Sequence, residues 1–281
     1  MFYLLNILIQ MKILLNNQSL DKSLRPFNDV GFVPTMGGIH NGHISLINRS
    51  KKLCKKTVVS IFINPKQFNN KNDFKNYPYN IKKDISILKK IKAVDFLYIP
   101  KFKDIFNSKK NLKIKIKKKD KILCAKFRKG HFEGVLEVMD SFTNLIKPNK
   151  IFMGKKDFQQ LFLVKNFIEN KYKTKVVACK TIRDKNMIAL SSRNYLLDKN
   201  ALNIVSKTTK KLFLIKKTIK NINNINNFLL KEKKQIQKKF NIKIEYMELR
   251  NEKNLLFSNK SIRSRLFLSY YINGIRLIDN F

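Results

Sequence analysis

The chain has 281 residues, of which 43% are hydrophobic and 28% charged, and its 60 Lys+Arg against 19 Asp+Glu give a formal net charge of +41. That length holds one large domain or two modest ones with ample core material, and the proportions are those of a soluble globular chain. So basic a balance points first to nucleic acid or an anionic membrane surface. However, the lysines are scattered through every segment amid abundant Asn, Ile and Phe, with no separate basic tail. Compositional drift is therefore the preferred reading, with no specific nucleic acid partner and a general attraction for anionic substrates.

The opening Met1–Leu15 is apolar but broken by Asn6, Gln10 and Lys12. It is too short and polar to span a bilayer and lacks the basic start and cleavage site of a signal peptide, so a first strand and helix is predicted. Val30–Val33 is a buried strand running into Pro34-Thr35-Met36-Gly37-Gly38, after which Ile44, Leu46, Ile47 and Leu53 mark an amphipathic helix. Thr57–Ile63 is a second buried strand, and Asn69–Tyr79 a polar loop. Ile81, Ile85, Leu88 and Ile91 predict a helix, Val94–Ile99 a strand, and Leu112–Ile116 a partly exposed strand. A helix over about Phe132–Ile146 leads to the strand Lys150–Met153. Asp157 is placed to cap the next helix, and Thr174–Cys179 is a further strand.

Strands alternating with helical periods predict an α/β fold with a parallel sheet, ending near Asn194. Beyond it, helical stretches at about Asp198–Ile219 and Asn226–Phe240 precede strands at 242–246, 266–271 and 275–278. The expected domains are thus 1–194 and a smaller α+β unit, 195–281. Cys54, Cys124 and Cys179 are far apart with no metal-binding spacing, so reduced thiols in a cytoplasmic protein are expected.

Five constellations can carry chemistry. In Met36-Gly37-Gly38-Ile39-His40-Asn41-Gly42-His43, a strand, a glycine turn and a helix start form an anion site, and two of the chain's three histidines share one face. Asn64 and Gln67 end the next strand, where amides suit a hydroxy acid. At Gly154-Lys155-Lys156-Asp157, a lysine at a helix start can meet an α-phosphate and an aspartate can hold ribose hydroxyls, with Gln160 on the same face. Leu190-Ser191-Ser192-Arg193 offers two hydroxyls and a guanidinium to a polyphosphate. Arg128 and His131 can also face an anion, although His131 reads equally well as a packed, hydrogen-bonded histidine.

Taken together, Val33–His43, Val58–Phe68, Gly130–Val135, Phe152–Leu161, Ala189–Arg193 and Arg276–Asn280 resemble, in order, the pantoate–β-alanine ligase (pantothenate synthetase) family of HxGH nucleotidyltransferases. The resemblance implies a Rossmann-like parallel-sheet domain, a smaller C-terminal α+β lid domain, a homodimer, and ATP used with Mg²⁺. It implies that pantoate attacks the α-phosphorus of ATP and that β-alanine then displaces AMP. Met36–His43, Gly154–Asp157, Ile182 and Leu190–Arg193 would hold ATP, with His43 the family's proton donor and His40 and Lys156 beside it. Gln67 and Gln160 would hold pantoate, Gln67 would also contact β-alanine, and Arg128 is a further substrate-binding candidate. Lys155, Glu133 and Met187 depart from the family pattern, Met187 standing at a usual glycine. The rival readings are another HxGH enzyme, such as one adenylylating phosphopantetheine, and a basic nucleic-acid-binding protein.

Overall fold

The computed structural model describes residues 11–69, 71–106 and 114–281. Six parallel strands, β1 (Lys12–Leu14), β2 (Val30–Thr35), β3 (Lys56–Ile61), β4 (Phe96–Tyr98), β5 (Lys150–Gly154) and β6 (Lys175–Cys179), form one sheet in the order β1-β4-β3-β2-β5-β6. Side chains alternate between two covered faces, which is why these strands read as nearly unbroken apolar runs. Val30, Phe32, Val58, Phe96, Ile151 and Met153 pack on one face, and Val33, Val59, Ile61, Leu97 and Phe152 on the other.

The helices Asn17–Leu24, His131–Ile146 and Phe158–Lys171 cover the first face, and Asn41–Leu53 and Ile81–Lys90 the second. Gly31 lets the helix Asn41–Leu53 come close: a Cβ there would lie 2.2 Å from Ser50 Oγ, which itself bonds Thr57 Oγ1 at 2.9 Å.

From β2 the chain builds β3 and β4 on one side, then returns to place β5 on the other. The strand order therefore switches between β2 and β5, and a crevice opens at their carboxyl ends.

Three antiparallel strands, β7 (Lys243–Asn251), β8 (Ser264–Ile272) and β9 (Ile275–Asn280), make a second sheet. The helices Lys199–Thr218 and Ile225–Phe240 pack Leu212, Ile215, Leu229 and Ile236 against Leu249, Leu266, Leu268 and Tyr270. Tyr246 and Phe267 join the first core instead, Tyr246 after a register shift between Ile244 and Tyr246 and Phe267 against Phe158 at 5.8 Å. The second sheet thus rests on the first near the crevice.

Several local features differ from the sequence reading. Short helices at Lys71–Lys75, Phe102–Ile105 and Cys124–Phe127 appear where no periodicity is long enough to announce them. The strand expected at Leu112–Ile116 lies partly outside the described residues, and Ile114–Ile116 form no strand. Likewise Met1–Gln10 of the opening segment lie outside them.

Candidate active site

The corner after β2 is pinned from beneath. Thr35 Oγ1 donates to the Ser60 carbonyl at 2.7 Å and accepts from the Gly37 N–H at 3.2 Å. Gly37 and Gly38 have φ of +81° and +62°, the left-handed region glycine tolerates. A Cβ on Gly37 would lie 2.8 Å from Asp84 Oδ2, and one on Gly38 2.8 Å from Ser192 Cβ.

The Gly38 and Ile39 N–H groups do not point at the crevice. They donate to the Asp84 carboxylate at 2.9 and 2.8 Å, and Asp84 is 2% exposed. Gly37, Gly38, Ile39 and Asn41 accordingly stay out of the cleft lining, whereas Met36, His40, Gly42 and His43 face it. Asp84 stands on the apolar face of its helix with Ile81, Ile85 and Leu88, and an acid in such a row signals a buried carboxylate needing donors.

His40 caps the helix Asn41–Leu53. Its Nδ1 accepts from the Gly42 N–H at 3.0 Å, and His43 Nδ1 accepts from the His40 N–H at 3.4 Å. The rings stack at 4.1 Å. With Nδ1 accepting in both, each neutral ring carries its proton on Nε2. Burial first, then the Lys156 charge, lowers His40 to about 4, with Asp157 opposing. Burial, His40 and Lys156 lower His43 to about 3. Both are neutral N–H donors at neutral pH, able to offer an anion hydrogen bonds rather than a cation.

β5 supplies the facing rim. Gly154 leads into a 3₁₀ turn, Lys155–Asp157, and then the helix Phe158–Lys171. The expected Asp157 cap does not form: its side chain bonds no helix N–H and lies half exposed, 3.7 Å from Lys156 Nζ. A carboxylate held on the rim by a lysine is open to a ligand instead. Gly154, Lys156, Asp157 and Gln160 line the cleft; Lys155 does not.

After β3 the two amides part company. Asn64 is fully buried, donating to the Gly134 carbonyl at 2.9 Å and accepting from the Lys66 N–H at 3.1 Å, so it is a brace and not, as expected, a rim residue. Gln67 lines the cleft, and its side-chain amide bonds no other described residue. Its backbone carbonyl accepts from His131 Nδ1 at 2.7 Å and from Arg128 Nη2 at 3.1 Å, while Arg128 Nη1 meets His131 Nε2 at 2.8 Å. His131 is therefore the packed alternative, a neutral Nδ1–H tautomer fixing Gln67, lowered to about 3 by burial and then by Arg128. Arg128 itself lines the cleft.

The depressed histidines are expected to make the fold acid-labile. In the unfolded chain each titrates near 6.5, so stability present above that pH is lost as pH falls toward the folded values of about 3 to 4. For buried His131 alone, going from pH 7 to pH 5 costs about 2 kcal/mol. The urea midpoint should fall clearly over that interval; an unchanged midpoint would show that the histidines are not held neutral.

The last wall is the arm 181–193. Arg183 and Ala189 bridge across a turn in which Met187 keeps the left-handed φ of +69° despite its side chain. The departure from glycine thus retains the backbone shape with a strain of about 1 kcal/mol. Met187→Gly is expected to raise the thermal midpoint by a few degrees at most, and a fall would mean that the Met187 side chain contributes more than its backbone costs.

Ile182 and Leu190–Arg193 all face the cleft. Ser191 Oγ accepts from the Arg193 N–H at 3.3 Å, and Ser192 Oγ meets the Tyr77 hydroxyl at 3.2 Å. Arg193 grips the Asp73 carboxylate through two bonds of 2.7 and 2.9 Å and donates to the Arg276 carbonyl at 3.0 Å. Asp73 holds the place on Arg193 that a phosphate oxygen could take. Tyr77 and Asp73 have no local sequence pattern to reveal them, whereas Arg276 opens the Arg276–Asn280 stretch that carries part of the resemblance.

These walls enclose about 320 Å³ of cleft. Among the described residues no cluster of His, Cys, Asp or Glu could cage a metal ion, and no helix is long and apolar enough to cross a membrane.

A switch-point cleft with an HxGH helix start on one rim and a lysine turn on the other defines an α/β nucleotidyltransferase-type site. Known proteins narrow this class. Residues 10–281 match the family model described as pantoate-beta-alanine ligase. The pantothenate synthetase of Francisella tularensis subsp. novicida is 37% identical over 265 residues, covering 94% of this chain and 93% of that protein. A crystal structure of pantothenate synthetase from Thermus thermophilus superposes with a TM-score of 0.89 at 26% identity, covering 96% of this chain and 99% of that one. That of Francisella tularensis pantoate-beta-alanine ligase, complexed with beta-gamma ATP and beta-alanine, gives 0.82 at 36% identity, covering 96% and 97%. The chain belongs to the pantoate-beta-alanine ligase family.

Proposed function

We propose that this cleft carries out its family's reaction, the ATP-dependent condensation of (R)-pantoate with β-alanine to give pantothenate, AMP and pyrophosphate. The observation that supports this most is the convergence of His40, His43 and Lys156 from two strand ends at the switch point. In the first step a pantoate carboxylate oxygen attacks the α-phosphorus and pyrophosphate leaves, giving pantoyl adenylate. Negative charge grows on the phosphoryl oxygens, and the two Nε2–H groups and the Lys156 ammonium are placed to meet it. In the second step the amine of β-alanine attacks the acyl carbon, loses a proton, and AMP departs.

No side-chain nucleophile is needed, so catalysis is alignment and charge stabilisation. Gln67 and Gln160 hold pantoate in this reading, and Gln67 also meets β-alanine. Met36–His43, Gly154–Asp157, Ile182 and Leu190–Arg193 surround ATP, with Asp157 toward the ribose and Arg193 exchanging Asp73 for phosphate. Gly37, Gly38, Ile39, Asn41 and Lys155, which do not line the cleft, contribute to this through the backbone shape they impose. Arg128 serves mainly by fixing Gln67. Mg²⁺ enters as the magnesium complex of ATP, its ligands chiefly phosphate oxygens and water.

Residues 195–281 act as the lid on a 1–194 nucleotide- and pantoate-binding unit, two copies pair as a homodimer, and the enzyme works in the cytoplasm with its thiols reduced. ATP–pyrophosphate exchange tests the intermediate. Exchange that requires pantoate but not β-alanine is expected; exchange that ignores pantoate would exclude an acyl adenylate.

A further inference from the structure

The Lys156 turn is held from outside its own strand. Asn280, at the end of β9 and 4% exposed, donates through Nδ2 to the carbonyls of Lys155 at 3.1 Å and Lys156 at 2.6 Å. Its Oδ1 accepts from Arg265 Nη1 at 2.8 Å, which fixes the amide's orientation, and its N–H donates to Asp279 Oδ1 at 2.8 Å. The neighbouring Asp279 takes a fork of bonds from Arg183 at 2.7 and 2.8 Å, and Arg183 also donates to the Met187 carbonyl at 2.9 Å. One strand end in the second sheet therefore grips two walls of the cleft.

The 3₁₀ turn needs such a grip. It is three residues long, Gly154 before it supplies no side-chain cap, and Asp157 bonds no backbone N–H after it. A Cβ on Gly154 would meet nothing within 4 Å, so packing does not hold the turn at that point either. The direction of the Lys156 side chain follows from the orientation of its two flanking peptides, and both carbonyls at issue are bonded by Asn280.

We propose that Asn280 is a positioning residue for the adenylation step: its amide fixes the Lys155 and Lys156 peptides, and so aims the Lys156 ammonium at the phosphoryl group being transferred. This rests on the role given to Lys156 above. A misplacement of about 1 Å in such a group costs on the order of 10²-fold in rate. A structural bond alone would instead lower stability and leave the rate of the folded enzyme intact.

A double-mutant cycle separates the two. The variants are Asn280→Ala, Asn280→Asp, which keeps the shape but sets an acceptor against two carbonyls, Lys156→Ala, and the doubles. Pantoate-dependent ATP–pyrophosphate exchange is measured on protein confirmed as folded by circular dichroism. With Lys156 present, each Asn280 substitution should lower kcat about tenfold or more, with KM for pantoate changed by no more than about twofold. In the Lys156→Ala background the same substitutions should change kcat by less than about twofold. Losses that multiply across the cycle, or an Asn280→Asp enzyme of normal kcat, would overturn the inference while leaving Lys156 its role. A normal kcat for Lys156→Ala would remove both. Should Asn280→Ala not fold, the Asn280→Asp arm carries the same comparison.

Discussion

Lys156→Ala is expected to lower turnover by about 10²- to 10³-fold with the fold intact, the loss expected when one preorganised charge is removed from a developing oxyanion. Its side chain is 17% exposed, and its nearest carboxylate, Asp157, is 3.7 Å away. That is a loose pairing, so the ammonium is only lightly neutralised and remains available to phosphate. Its charge already reaches both histidines, helping to hold them neutral. Removing it should therefore act mainly on kcat for adenylation and little on the later attack by β-alanine. Comparing pyrophosphate exchange with the rate of pantothenate formation from preformed adenylate would show this. Equal losses in both steps would mean that Lys156 serves general binding instead.

The second large effect belongs to His43. His43→Ala should also cost about 10²- to 10³-fold in kcat, whereas His43→Gln, which can present an N–H from a similar place, should recover part of it. A proton-transferring histidine would not be rescued by an amide. In the free enzyme, the lowered values of about 4 and 3 for His40 and His43 place their protonation well below neutrality. The pH profile of kcat/KM for ATP should then show no break near 6.5 from these rings. A bound triphosphate favours the charged ring and raises both values, so a break in kcat lies higher than one in kcat/KM. A histidine break near 6.5 in kcat/KM that disappears in His43→Gln would contradict the neutral-donor assignment.

Which parts of this site were legible in the sequence follows from range of interaction. β2, β3 and β5 are covered on both faces, so each appears as an apolar run ending in a turn, and the turn residues name the rims. The alternation of such runs with helical periods announces the parallel sheet, and parallel pairing then brings their carboxyl ends to one edge. What depends on side chains meeting across the fold was not legible. Gly37 and Gly38 suggest amides offered to a phosphate, yet two amides of that turn are taken by Asp84, forty-five and forty-six residues away. Asn64 and Gln67 look alike at the end of β3, but only Gln67 reaches the cleft. Ser191, Ser192 and Arg193 suggest a free polyphosphate grip, whereas Tyr77 and Asp73 already engage two of them. Of the two β9 residues that tie the walls together, Asn280 acts through backbone carbonyls, which leave no trace in a sequence, and Asp279 through the Arg183 guanidinium ninety-six residues away.

The strong positive charge has a simple place in this account. At +41 the surface attracts anions of every kind, and three of the four species in the reaction as far as the adenylate carry phosphate. Specificity comes from the cleft. Binding to nucleic acid should therefore weaken steeply between low and physiological salt and show no base preference.

That one cleft joins two acids through an adenylate can be checked by following AMP release with ATP, Mg²⁺, pantoate and β-alanine, each omitted in turn. Sustained AMP formation is expected only when all four are present, matched one for one by pantothenate. AMP release that continues at full rate without pantoate and β-alanine would contradict it.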